Sequence, residues 1–97
     1  MIVSGTMGLD EAGVAPATID EQLELIWKNL KRILQEADMT TDNIVQVRSF
    51  LGDRKYAQKN QDARLKALGD RRVPTTAIVV DIFDPAWFVE VEILAAA

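Results

Sequence analysis

Apolar and polar positions along this chain follow two periods, and the switches between them mark its elements. From residue 19 to 37, Ile19, Leu23, Ile26, Leu30, Ile33, Leu34 and Ala37 recur at spacings of three and four, which draws one stripe along a helix. Asp20, Glu24, Lys28, Lys31 and Gln35 fall on the opposite side, and Trp27 flanks the stripe. Thr18 precedes Glu21 by three, the spacing of a capping box in which each side chain serves the other's backbone N–H. Glu24 and Lys28 stand in the favourable order for an ion pair one helical turn apart. A helix of this kind lies on a sheet with one face wet.

The period of two appears further on. Residues 44–51 read as a strand, with Val45, Val47 and Leu51 on one face and Gln46, Arg48 and Phe50 on the other. Residues 55–68 form a weaker helix in which Tyr56, Asn60, Ala63 and Ala67 share a side, and Gly69 fits the position just past its end. Asp70-Arg71-Arg72 is a charged connector. Pro74 then opens a β-branched strand over 75–82, at the position where no ladder donor is lost. After the turn at Phe83-Asp84-Pro85-Ala86, residues 87–94 alternate cleanly: Val89, Val91 and Ile93 face one way, and Phe88, Glu90, Glu92 and Leu94 the other. A short β-prone segment, Ile2-Val3, begins the chain.

Strand, helix, strand, helix, strand, strand predicts an α+β domain: a mixed sheet with both helices packed on one face. The other face carries Gln46, Arg48, Glu90 and Glu92 beside Phe50 and Phe88. Charge mixed with large apolar groups is unlike plain solvent surface, and it suits half of a subunit interface.

Composition narrows the chemistry. The chain has 97 residues and neither Cys nor His. Disulfides, zinc held by Cys or His, and Ser-His or Cys-His nucleophile pairs are therefore excluded. A net charge of -4 argues against binding a phosphate backbone. No apolar run approaches the ~20 residues that cross a bilayer, and no basic leader precedes the first strand. We therefore expect a single domain over 1–97, in the cytoplasm, with neither nucleic acid nor membrane as partner.

The order of the motifs resembles the RidA (YjgF) family of reactive-intermediate deaminases, also known as endoribonuclease L-PSP-like. Ile2-Val3-Ser4-Gly5-Thr6-Met7-Gly8-Leu9-Asp10 with Gly13 is similar to the family's opening motif. Gln22 with Asn29-Leu30, Ile44-Val45-Gln46-Val47, Phe50-Leu51, Asn60, Pro74-Thr75-Thr76-Ala77 and Val89-Glu90-Val91-Glu92 match later ones. The resemblance spans essentially the whole chain. It implies a chorismate-mutase-like fold, a homotrimeric barrel and small-molecule clefts between subunits. It also implies hydrolysis of imines or enamines such as 2-aminoacrylate without cofactor or metal. Two departures stand out. Thr76 occupies the position of the family's carboxylate-binding Arg, and a hydroxyl cannot replace a bidentate guanidinium. The family's first strand, before the Ser-Gly motif, is expected to be lacking.

By the same resemblance Glu90 is the catalytic carboxylate, positioning water or relaying a proton; on pattern alone it is an exposed strand glutamate. Ser4 and Gly5 match a ligand-binding pair, or make an ordinary strand-end turn. Asn60 either lies near the cleft or ties helix to loop through a hydrogen bond. Thr76 and Ile78 are ligand contacts by position, or plain β-branched strand residues. Arg48 either supplies the missing positive charge or pairs with Glu90 or Glu92. Without the Arg, standard 2-aminoacrylate deamination is in doubt. The alternative to an enzyme is a non-catalytic, metabolite-binding or regulatory trimer.

Overall fold

A computed structural model describes residues 1–69 and 71–97, so Asp70 of the charged connector lies outside the described residues. Four strands and two helices follow the expected order. They are β1 (Ile2–Met7), α1 (Ile19–Glu36), β2 (Ile44–Leu51), α2 (Ala57–Leu68), β3 (Thr75–Val79) and β4 (Val89–Ala95). The sheet runs β1-β4-β2-β3, with β4 antiparallel to both β1 and β2, and β3 parallel to β2. The fold is the expected α+β one, a mixed sheet with two helices.

Alternation decides which side of the sheet becomes the core. Val89, Val91, Ile93 and Ala95 of β4 are buried and meet Val47 and Leu51 of β2 and Val3 of β1. The stripe of α1 closes over them through Leu23, Ile26, Leu30 and Leu34. Trp27 belongs to this core and does not merely flank it; its indole Nε1 finds no acceptor there. Ala37 falls outside the helix and is exposed. Thr18 caps α1 by accepting from the Glu21 N–H at 3.2 Å, while its hydroxyl donates to the Glu21 carboxylate at 3.0 Å. Only half of the capping box therefore forms. Lys28 is not paired with Glu24; the one ion pair tying α1 to α2 among the described residues is Asp20 with Lys59, at 2.8 Å.

Three strands differ from their expected form. β1 is longer, because Ile2, Val3, Thr6 and Met7 find partners along β4, with a register slip between Val3 and Thr6. In β2 a second slip between Ile44 and Gln46 turns Val45 outward and buries Ile44 in its place. One extra residue reverses the faces on either side of it. β3 stops at Val79, after which Val80 donates one last bond, to the Leu51 carbonyl at 2.9 Å. β4 starts at Val89 because the N–H groups of Trp87 and Phe88 are spent elsewhere, on the Asp84 carbonyl and the Gln22 side chain.

Gln22 is the buried polar group of this region. Its amide donates to the carbonyls of Pro16 (2.9 Å) and Ala86 (2.8 Å), and its oxygen accepts from the Phe88 N–H (2.9 Å). It thereby ties the start of α1 to the turn that feeds β4. Asp53 caps a 3-10 turn over Arg54–Tyr56 that leads into α2, which is why α2 starts two residues later than expected. Arg71 donates to the carbonyls of Thr41 and Ile44, so half of the basic pair in the connector holds the entry to β2. No helix among the described residues is long and apolar enough to cross a membrane.

The packing carries a direct test. Leu30 is fully buried between α1 and the sheet. Leu30→Ala is expected to lower the unfolding free energy by about 2–5 kcal/mol in urea titration, whereas Lys31→Ala, on the wet side, stays within about 0.5 kcal/mol.

Candidate functional site

The sheet face away from the helices is ordered in rows by the strand register. Ile78 of β3 pairs with Phe50 of β2, which pairs with Glu90 of β4, which pairs with Met7 of β1. One step along, Thr76 pairs with Arg48 and Arg48 with Glu92. The next position joins Gln46 to Leu94 and Leu94 to Ile2. The first and third rows set polar groups against apolar ones, and the second is polar throughout.

Glu90 is half-buried in the first row. Beside it opens a pocket of about 230 Å³ lined by Gly5, Phe50, Val80, Ile82, Phe83 and Glu92, among others. Gly5 sits at the slip in β1. A Cβ there would lie 2.8 Å from the Glu90 carboxyl carbon and closer still to its Oε1. The missing side chain is the space that the carboxylate occupies. Gly8, three residues on, is closed in by backbone: a Cβ would lie 2.8 Å from the carbonyl carbon of Gln22.

The other candidate residues fall in different places. Ile78 lies in the row of Glu90, on β3, and is exposed. Thr76 lies in the neighbouring row, its side chain free on the edge strand. Ser4 is exposed beside Gly5; its carbonyl accepts from the Thr6 hydroxyl at 3.1 Å. Asn60 is buried on α2, in the helix layer and across the sheet from Glu90. None of the side-chain hydrogen bonds among the described residues uses its amide. Arg48 pairs with Glu92 through a single 3.3 Å contact.

Two aromatic residues complete the pocket that the sequence did not assign to it. Phe50 was legible as lying on this face, and only its register against β4 sets it opposite Glu90. Phe83, 94% exposed, leans on Trp87 with ring centroids 6.3 Å apart. A turn sequence gives no period from which such a placement can be read. Among the described residues, no three His, Cys, Asp or Glu side chains gather as a metal site would require.

A mixed four-stranded sheet backed by two helices, with a carboxylate set among apolar groups on its open face, is an α+β domain of the chorismate-mutase-like type. The chain belongs to the endoribonuclease L-PSP family, whose profile matches residues 1–97. It is similar to a solved Entamoeba histolytica protein described as of endoribonuclease L-PSP type, at 30% identity and a TM-score of 0.91, covering 99% of this chain and 78% of that one. Yeast Mmf1 matches at 26% identity and a TM-score of 0.90, over 98% of this chain and 77% of its own. RidA from an Antarctic Psychrobacter superposes with a TM-score of 0.93, over 99% of this chain and 79% of its own; at 21% identity, that likeness speaks for the fold. A comparison with curated protein sequences finds no match.

The two glycines separate site from scaffold. Gly5→Ala is expected to push aside the flexible end of Glu90, changing ligand affinity or turnover while the unfolding midpoint barely moves. Gly8→Ala meets rigid backbone and is expected to cost about 1–3 kcal/mol of stability. Thermal melts of the two variants side by side check this; equal losses in both would contradict it.

Proposed function

We propose that this chain is a RidA-like small-metabolite protein whose ligand occupies the cleft beside Glu90, and that Glu90 serves the hydrolysis of an imine or enamine there. The observation that carries this reading is the Glu90 carboxylate, backed by a residue with no side chain and walled by Phe50. Water adds to the C=N carbon while the carboxylate takes its proton, and that proton passes to nitrogen. The resulting carbinolamine expels ammonia and leaves a carbonyl. Imine and water become carbonyl compound and ammonia, so no cofactor enters the balance. Ser4, Gly5, Thr76 and Ile78 are the proposed ligand neighbours. The role of Asn60 is to be sought through the helix layer that supports the sheet.

Apolar exposure supports assembly through this face. Ile2 is 77% exposed, and Ile78, Val80 and Phe83 are also open to solvent. We propose a homotrimer in which three such sheets face a common axis and the clefts lie between subunits. A net charge of -4 supports leaving nucleic acid out, although the family takes its description from a nuclease. The proposal puts the protein in the cytoplasm, which a chain without Cys suits.

A second reading is favoured by Thr76. Where a guanidinium would bind a carboxylate, the chain offers one hydroxyl. In that reading the trimer binds or senses a metabolite without turning it over.

The experiment that decides between them couples an amino-acid oxidase, as imine source, to ammonia detection. The wild-type protein is expected to speed ammonia release, and Glu90→Gln to lose about 100-fold or more of that acceleration. No acceleration with any amino acid would leave the binding reading, and an undiminished rate in the variant would take Glu90 out of the chemistry. Light scattering at micromolar concentration is expected to give the mass of three chains; a single-chain mass would overturn the trimer.

A further inference from the structure

On the helix side, away from the face proposed for assembly, a hollow of about 500 Å³ opens between the 9–12 segment and one flank of α1. We propose that it is a second small-molecule site and takes an α-amino acid with a short apolar side chain, held as the zwitterion. The carboxylate lies on Lys28 and Arg32, and the ammonium points toward Glu11. Such a site is independent of the chemistry at Glu90 and involves no turnover.

Both walls of the hollow are fixed before a ligand arrives. Lys28 and Arg32 are one turn apart, and Leu25 and Asn29 are too, so the four share a flank of the helix. The facing segment is braced by its own bonds. The Asp10 carboxylate accepts from the N–H groups of Ala12 and Val14, both at 2.9 Å. The Asp10 N–H donates to the Val14 carbonyl at 3.0 Å, and the Gly13 N–H to the Asp10 carbonyl at 2.9 Å. Asn29 then pins the segment to the helix, its amide donating to the carbonyls of Leu9 (3.2 Å) and Met7 (3.4 Å). A wall already ordered in this way costs little to order on binding.

Charge selects the ligand. Two cations, Lys28 and Arg32, and two carboxylates, Asp10 and Glu11, line the hollow, so it is neutral as a whole. The ion pairs among the described residues are Arg48 with Glu92 and Lys59 with Asp20, which leaves Lys28, Arg32 and Glu11 without a partner there. The Asp10 carboxylate is turned to its own segment, so Glu11 is the free anion of the pair. A plain anion would gain from Lys28 and Arg32 and be opposed by Glu11; a plain cation would meet the reverse. A zwitterion satisfies both walls. The Arg32 fork fits a carboxylate two donors at a time, with Lys28 as a second point charge.

The floor suits a short apolar side chain. Leu25 lies off the core stripe of α1 and stays half-buried, as does Leu9 facing it, and Ala12 adds a methyl group. The volume is within the range of small-molecule pockets. A 2-oxo acid lacks the ammonium that would meet Glu11, so the carbonyl product belongs to the cleft at Glu90 and not here.

Calorimetric titration with L-leucine tests the site, with two analogues that each lack one charge: 4-methylpentanoate and 3-methylbutan-1-amine. L-leucine is expected to bind about 10-fold more tightly than either. Arg32→Met is expected to weaken L-leucine about 3- to 10-fold, the scale of one charge-assisted contact at a half-open surface, without weakening 3-methylbutan-1-amine. Glu11→Gln is expected to weaken L-leucine by a similar factor without weakening 4-methylpentanoate. Both residues are exposed, so the variants keep the fold. Amide shifts on titration are expected at Ala12, Leu25 and Lys28. Equal binding of L-leucine and both analogues overturns the proposal, because the hollow would then be a merely apolar surface. Absence of L-leucine binding at millimolar concentration overturns it, and so do shifts confined to Gly5, Phe50 and Glu90.

Discussion

Everything in this molecule hangs on the two-sidedness of its central strand. β4 is bonded on both edges, to β1 and β2, so its register is fixed from two directions. Its odd positions from Val89 to Ile93 are among the most buried residues of the protein. A slip of one residue would drive Glu90 and Glu92 into the core and is therefore prohibited by the cost of burying charge. The hydrophobic effect that seats α1 on the sheet thus also presents two carboxylates on the opposite face. Packing and chemistry are set by the same alternation.

The supports of that strand lie at its ends. Gln22 holds the turn before it by two hydrogen bonds from inside α1, with a third to Pro16, at a position where a leucine would satisfy the helix pattern but not the turn. Gly8 lets the chain leaving β1 pass against the backbone of the same residue. Phe88 stacks on Tyr56 at 5.5 Å, which ties the start of β4 to the entry of α2. At the other end, the Ala95 N–H and the chain's amino group exchange bonds with Met1 and Ala95 carbonyls. The Glu90 row is held between these fixed points, and its carboxylate fits where Gly5 omits a side chain.

Much of this was legible in the sequence because long periodic segments state their own burial. The stripe of α1 and the alternation of β4 needed no tertiary information, and the order of motifs led to the family. What escaped depended on contacts between segments. The slip that buries Ile44 in place of Val45 leaves no trace in the alternation, since one inserted residue looks like any other. Gln22 is polar at a position that a helical wheel assigns to the edge of the stripe, and only its partners Ala86 and Phe88, far along the chain, explain its burial. β3 was expected to run three residues further because Val80, Asp81 and Ile82 have strand-like composition around them, yet β2 offers no partner beyond Leu51. For the site, Glu90 and Gly5 were singled out and do lie together. Asn60 matched a motif, and its place on the second helix already set it in the layer across the sheet from Glu90. Arg48 and Thr76 become neighbours only through parallel pairing, which single-strand patterns do not encode.

The proposed ligand site is the open sheet face at Glu90 and not the larger hollow between the 9–12 segment and α1. That hollow, about 500 Å³, is lined by Asp10, Glu11, Lys28 and Arg32 and is the obvious rival by size. The direct measurement is amide chemical-shift mapping of the labelled protein during titration with 2-oxobutanoate. The shifts are expected to concentrate at Gly5, Phe50 and Glu90. Shifts confined to Asp10, Lys28, Asn29 and Arg32 would place the site on the other side of the molecule and contradict it.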